Sequence, residues 1–243
     1  MKKGIIVAII GSFLAGCSPF SDSVIKKSRV EDQDHVSLSQ LPQSDSTSDV
    51  PVLDSDASRI IRSYGPTIRK YSDRYGLDWR LVLAVMKQES RFLPTAESYK
   101  GATGFMQIMP TTSNEVAREL KIRDMAHPKN NIRGGIFYLN RLYRLFDGVE
   151  GNDRIMLTLA AYNAGISRVY DAQELAAYMQ ENPTKWQAVK DALPLLSKRY
   201  YTLHKNVWPE HKPRAGWFGN SRETIGYVEN IMTYYDEYRQ VLN

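Results

Sequence analysis

Residues 81–110 read LVLAVMKQESRFLPTAESYKGATGFMQIMP, and the fold class follows from how this stretch changes character half-way along. Leu81, Val82, Val85 and Met86 recur at helical spacing, and Asp78 stands where its side chain can cap that helix. The apolar run ends on Glu89-Ser90. Beyond it comes a loop with Gly101 and Gly104, leading into Phe105-Met106-Gln107-Ile108-Met109. A carboxylate at this boundary meets two influences, burial against the core and the negative end of the helix dipole. Both disfavour the ionised form and raise the pKa, as a general acid near neutral pH requires. The position equally suits a solvated helix-end glutamate, so Glu89 alone names no reaction.

Outward from this stretch the helical period persists. Ser58–Tyr75 is expected to be a helix with a kink or restart near Pro66, and Thr112-Ser113-Asn114-Glu115 has the form of a capping box opening a helix to about Leu120. Asn131–Phe146 follows, with Ile132, Ile136, Leu139, Leu142 and Phe146 apolar and Gly148 as a stop. Asp153 is expected to cap Arg154–Asn163, with Gly165 ending that helix. Shorter helices are expected over Asp171–Gln180, Thr184–Ala192 and Leu195–Tyr201, and a loop rich in Pro, Gly and Trp over Lys205–Ser221. A last helix covers Arg222 to Leu242, with Tyr227, Ile231, Tyr234 and Tyr238 on one side. No run of six residues alternates with period two and no internal repeat is visible. The expectation is one all-α domain over 58–243.

The amino-terminal end is built differently. Met1-Lys2-Lys3 is basic, Ile5–Leu14 is a short apolar run, and Leu14-Ala15-Gly16-Cys17 closes it with small residues. The run is too short for a spanning helix and reads as a secretory signal. Its last four residues resemble a bacterial lipobox, which implies cleavage before Cys17, lipidation of that thiol and attachment to a membrane. Ser18 in place of Asp resembles lipoproteins of the outer membrane, placing the domain on its periplasmic face. Cys17 is the single cysteine, so no internal disulfide forms. Residues 18–57 are rich in Ser and Asp and nearly free of aromatics, and read as a flexible tether. Some 40 residues give an r.m.s. reach of roughly 35 Å.

The 243 residues carry a formal net charge of +5, without the Lys/Arg block expected of a nucleic-acid binder. A Gly-rich phosphate loop, HExxH and the Gly-x-Ser-x-Gly elbow are all missing from the sequence. His127, His204 and His211 lack ligand spacing and are expected at the surface or in turns, and His35 falls in the tether. No metal or cofactor is implied. Trp208 and Trp217 suit either sugar stacking or packing.

Four motifs recur in order around Glu89. They are Glu89-Ser90; Ser98-x-x-Gly101-Ala102-x-Gly104-Phe105-Met106-Gln107-Ile108-Met109-Pro110; Ala161-Tyr162-Asn163-Ala164-Gly165; and Glu223-Thr224-x-x-Tyr227-Val228. Together they resemble the lysozyme-like SLT domain of family 1 lytic transglycosylases, over roughly Arg69–Tyr238. Leu193-Pro194-Leu195-Leu196-Ser197 and Tyr227–Ile231 further resemble the catalytic module of membrane-bound lytic transglycosylase F. Only the tether precedes the module, leaving no room for the solute-binding domain of those enzymes. The resemblance implies non-hydrolytic cleavage of the β-1,4 bond between N-acetylmuramic acid and N-acetylglucosamine in peptidoglycan glycan strands. Glu89 would serve as the one acid and base, with Ser98 and Tyr162 supporting it. Gln107, Met109, Asn163 and Glu223 would line the sugar groove, while the tyrosines of the last helix would mostly pack. Phe105 stands where the family commonly has Leu, and Ile225 where many relatives have Arg. A goose-type lysozyme acting on the same bond, and a non-catalytic peptidoglycan-binding lipoprotein, remain the alternatives at this point.

Overall fold

Apolar residues at helical spacing become helices over most of the chain, but the helix expected over Leu195–Tyr201 is replaced by two 3-10 turns, and a helix over Tyr201–Val207 takes the start of the expected Lys205–Ser221 loop. The computed structural model describes residues 53–242; the leader, Cys17 and the tether before residue 53 lie outside the described residues. The helices are α1 (Ser55–Tyr75), α2 (Trp79–Ser90), α3 (Pro110–Leu120), α4 (Pro128–Arg144), α5 (Gly151–Ala164), α6 (Ile166–Tyr178), α7 (Trp186–Ala192), α8 (Tyr201–Val207) and α9 (Ser221–Val241). Two 3-10 turns, Leu193–Leu196 and Lys198–Tyr200, join α7 to α8. Among the described residues the only β pairings are the isolated bridges Glu97–Thr103 and Thr103–Ile108. The fold is all-α, as the sequence indicates.

α2 is the centre of the core. Leu81 to Met86 are all buried, so this part of the helix is covered on every side, and each of its Leu, Val and Met side chains contributes roughly 1.5–3 kcal/mol. α9 and α1 pack against it, α4 covers α1 and α5, and α6 lies on α5 and α7. Asp78 caps α2 by accepting the Arg80 N–H at 2.9 Å. Tyr235 on α9 donates to the same carboxylate at 2.9 Å, and the Arg80 guanidinium reaches the Leu242 carbonyl at 3.0 Å. The C-terminal helix is thereby locked to the start of the helix that carries Glu89.

Several ends depart from expectation. α1 starts at Ser55, capped by Asp54, and continues through Pro66 as one helix. The Thr112–Glu115 box is unused because Pro110 opens α3 two residues earlier, suited to a first turn whose N–H groups need no partner. Gly151, at φ 62°, starts α5 and so takes Asp153 out of the cap position. Asp153 instead accepts the Trp186 N–H at 2.8 Å and the Lys185 ammonium at 3.0 Å, fixing the start of α7. On α9 it is Tyr235, not Tyr234, that is buried; Lys87 lies 4.4 Å from the Tyr234 ring.

His204 is the clearest correction. It is fully buried, pairs through Nε2 with the Leu195 carbonyl at 2.7 Å, and lies between the Trp208 and Trp217 rings at 5.4 and 5.1 Å. Trp208 is buried and donates to Glu174 at 2.9 Å, so it packs, whereas Trp217 is exposed.

Candidate active site

α2 delivers Glu89 in its last turn, half-buried, and the chain then bends sharply. Arg91 and Phe92 both take positive φ, 49° and 62°. Each costs about 1–2 kcal/mol for a residue other than glycine, and burial of the Phe92 ring offsets part of that. Strain is thus placed directly behind the acid.

Burial pushes the Glu89 carboxyl up to about 7, while the hydroxyl of Tyr227, donating to Oε1 at 2.6 Å, pulls the other way. Burial and the neighbouring Glu89 charge hold the Tyr227 and Tyr162 phenols well above their usual range, so both remain neutral. With Oε1 occupied by Tyr227, Oε2 is the oxygen left to carry an exchangeable proton. Near neutral pH this carboxyl exists in both forms and can give and then take a proton.

The loop after Glu89 forms the floor beside it. Gly101 N–H closes a turn onto the Ser98 carbonyl at 2.8 Å, and the Ser98 hydroxyl accepts the Ala102 N–H at 2.9 Å. Gln107, at φ 44°, donates its side-chain amide to the Ala96 and Gly104 carbonyls at 2.9 and 3.0 Å. Buried Asn131 of α4 accepts the Met106 N–H at 2.9 Å and donates to the Thr103 carbonyl at 3.0 Å. Tyr162 of α5 donates to the Met106 carbonyl at 2.7 Å. Gly104, at φ 76°, permits this approach, since a Cβ there would sit 2.6 Å from the Asn131 amide.

Comparison with known proteins fits this geometry. Residues 66–185 match the transglycosylase SLT domain family. The chain carries a transglycosylase SLT domain. It is 36% identical over 178 residues to a membrane-bound lytic murein transglycosylase F of Desulfosudis oleivorans, covering 73% of this chain and 36% of that protein. A protein of the same name from Shewanella pealeana is 38% identical over 175 residues, covering 71% and 33%. The chain therefore spans about a third of the length of these curated relatives. The crystal structure of the 70-kDa soluble lytic transglycosylase of Escherichia coli shares the fold, with a TM-score of 0.54 at 24% identity, covering 78% of this chain and 26% of that one.

The expected residues occupy distinct places, Glu223 and Tyr227 lying beyond the matched range. Glu89 is hydrogen-bonded by Tyr227, while Ser98 and Tyr162 bond to backbone atoms of the loop. Met109 is exposed at the loop's end, where it presents an apolar surface. Asn163 accepts the Thr224 hydroxyl at 2.7 Å, tying α5 to α9. Glu223 stands exposed in the first turn of α9, where the Asn220 amide reaches it at 3.3 Å. Phe105 is fully buried with its ring edge-on to Tyr64 at 5.0 Å, so the larger side chain is absorbed by the core. Ile225 is half-buried against the same core.

Sequence reasoning missed two contributors. Tyr227 lies three residues after Thr224, on the face already turned toward Asn163, and that shared face was its signal. Asn131 is an amide among the apolar positions of α4, a mismatch that marks a buried polar clamp.

Proposed function

We propose that the protein is a peptidoglycan lytic transglycosylase. The observation that carries this reading is a carboxyl raised by burial to about 7 and steered through one oxygen by the Tyr227 phenol. Glu89 protonates the glycosidic oxygen between N-acetylmuramic acid and N-acetylglucosamine as the C1–O bond breaks. The resulting carboxylate takes the proton of the muramoyl C6 hydroxyl as that oxygen bonds to C1. One proton leaves Glu89 and one returns, no water is consumed, and the product ends in a 1,6-anhydromuramoyl ring. A second carboxylate, which ordinary glycosidases use as base or nucleophile, is unnecessary because the substrate supplies the nucleophile.

In this reading Tyr227 and Tyr162 position the acid and the loop. Ser98, having accepted the Ala102 N–H, keeps its own hydroxyl proton to donate into the groove. Gln107, Asn163 and Glu223 meet sugar hydroxyl and acetamido groups, and Met109 meets a ring face. In this reading a leader spans 1–17 and a tether follows from 18, while the catalytic domain begins with α1 at Ser55 rather than at residue 58. Lipidation of Cys17 would hold the enzyme at the periplasmic face of the outer membrane. Replacing Cys17→Ser should move the protein from the membrane fraction to the soluble one, and unchanged fractionation would refute the anchor.

The decisive experiment is mass spectrometry of sacculi digested by purified protein. Anhydromuropeptides are expected from the wild type, with turnover falling as pH rises above about 7 and Glu89 loses its proton. Glu89→Gln is expected to lose about 10²–10⁴-fold in rate while still binding sacculi. Reducing ends as the main product would favour the lysozyme-like hydrolase. Comparable activity in Glu89→Gln would sink the mechanism altogether.

A further inference from the structure

Residues 198–222 hold six of the 32 lysines and arginines and one of the 27 acids, so the rest of the chain is balanced, 26 against 26. The segment carries an excess of five positive charges, matched in the chain by residues 118–144, with seven lysines and arginines and two acids. It also lies beyond the SLT match, which ends at residue 185.

The segment is firmly mounted. His204 and Trp208 are buried beneath it, and the Phe218 N–H bonds to the Leu196 carbonyl at 3.1 Å. Asp171 of α6, itself buried, accepts the Arg214 and Ala215 N–H groups at 3.2 and 2.8 Å. The Arg214 side chain is taken up by Glu174 at 2.9 Å. Lys198, Arg199, Lys205 and Lys212, by contrast, are exposed and form no ion pair among the described residues. Arg199 lies 5.3 Å from the Tyr200 ring and Lys205 5.2 Å from the exposed Tyr201 ring. These are cations backed by aromatic faces and displayed from an anchored platform.

Chain continuity puts the platform beside the groove. It runs directly into the first turn of α9, which presents Glu223, and Tyr227 follows six residues after Ser221, about 9 Å along the helix. We propose that this basic segment binds the carboxylates of acidic peptides attached to the glycan strand, so that the enzyme favours peptide-bearing strands over bare glycan. The inference rests on the transglycosylase reading and names a feature of its substrate. Charge complementarity supports it, because a sugar strand without peptides offers such cations no counter-charge, whereas stem peptides offer several.

The test compares intact sacculi with amidase-treated sacculi whose peptides have been removed. Binding is measured in the Glu89→Gln background, with and without Lys198→Gln, Arg199→Gln, Lys205→Gln and Lys212→Gln together. Exposed pairs are individually weak, so the combined change is expected to lower affinity for intact sacculi about tenfold at low salt, flatten the salt dependence and leave bare-glycan binding unchanged. Unaltered melting confirms that the fold is kept. Equal binding of both variants to intact sacculi would overturn the proposal. So would a loss confined to anionic phospholipid vesicles, which would assign the segment to a membrane surface instead. Should the wild type cleave neither substrate, the transglycosylase reading fails, and the binding comparison still decides this one.

Discussion

The two long non-helical stretches, 91–109 and 208–220, are held in different proportions. The first combines backbone bonds of its own, at the Ser98–Gly101 turn and the bridges at Thr103, with the grips of the Asn131 and Tyr162 side chains on its main-chain atoms. The second is captured by side chains from a distant helix, with Asp171 reaching across 43 and 44 residues to the Arg214 and Ala215 N–H groups. A backbone-fastened loop must satisfy steric conditions at particular residues, and those conditions leave glycines in the sequence. A side-chain-captured loop needs only acceptors somewhere else, and leaves no local trace. The first kind suits a groove floor beside a reacting carboxyl, and the second suits a display surface.

That contrast can be broken experimentally, beginning with the glycine. Gly104→Ala forces a Cβ into the Asn131 amide at a positive φ. It is expected to destabilise the fold by about 2–4 kcal/mol and to suppress turnover, measured by denaturant melts and product yield. Asp171→Ala leaves the Arg214 and Ala215 N–H donors without their acceptor and should cost about 1–3 kcal/mol. It should speed proteolytic nicking within 208–220 while sparing the chemistry at Glu89; lost turnover with an intact loop would contradict the division of labour. Tyr227→Phe is the smallest change, about 1 kcal/mol or less in stability. Its hydroxyl lowers the Glu89 pKa, so its removal should raise that pKa above 7 and shift the alkaline limb of the activity profile upward.

The sign of the Glu89 effect on stability follows from the same shift. Its folded pKa of about 7 exceeds the ordinary 4.5, so the folded protein binds this proton more tightly than the unfolded chain. Stability from this site is greatest below pH 4.5 and declines as pH rises to about 7.

Helix content and the position of Glu89 were legible because apolar periodicity and glycine punctuation are local properties. Helix starts were less so. Pro110 and Gly151 opened α3 and α5 ahead of the capping residues that the sequence offers, Thr112 and Asp153. The Tyr227–Glu89 bond spans 138 residues, so the Thr224-x-x-Tyr227 spacing marks a shared helix face but not the carboxyl it meets. His204 was misplaced for a similar reason. A histidine between Leu203 and Lys205 is buried only because Leu195, Trp208 and Trp217 converge on it from three segments.

Met106 is gripped at both ends of its own backbone, its N–H by Asn131 and its carbonyl by Tyr162. Neither flanking peptide plane can rotate without breaking one of these bonds, and Gln107, next in the chain, is fixed in its left-handed conformation. The conformational entropy of this floor is therefore lost during folding rather than during encounter with a glycan strand. On the proposed function, a glycan strand would meet a surface already in its working shape, and the free energy of contact would go to alignment of the scissile bond with Glu89 rather than to ordering the protein.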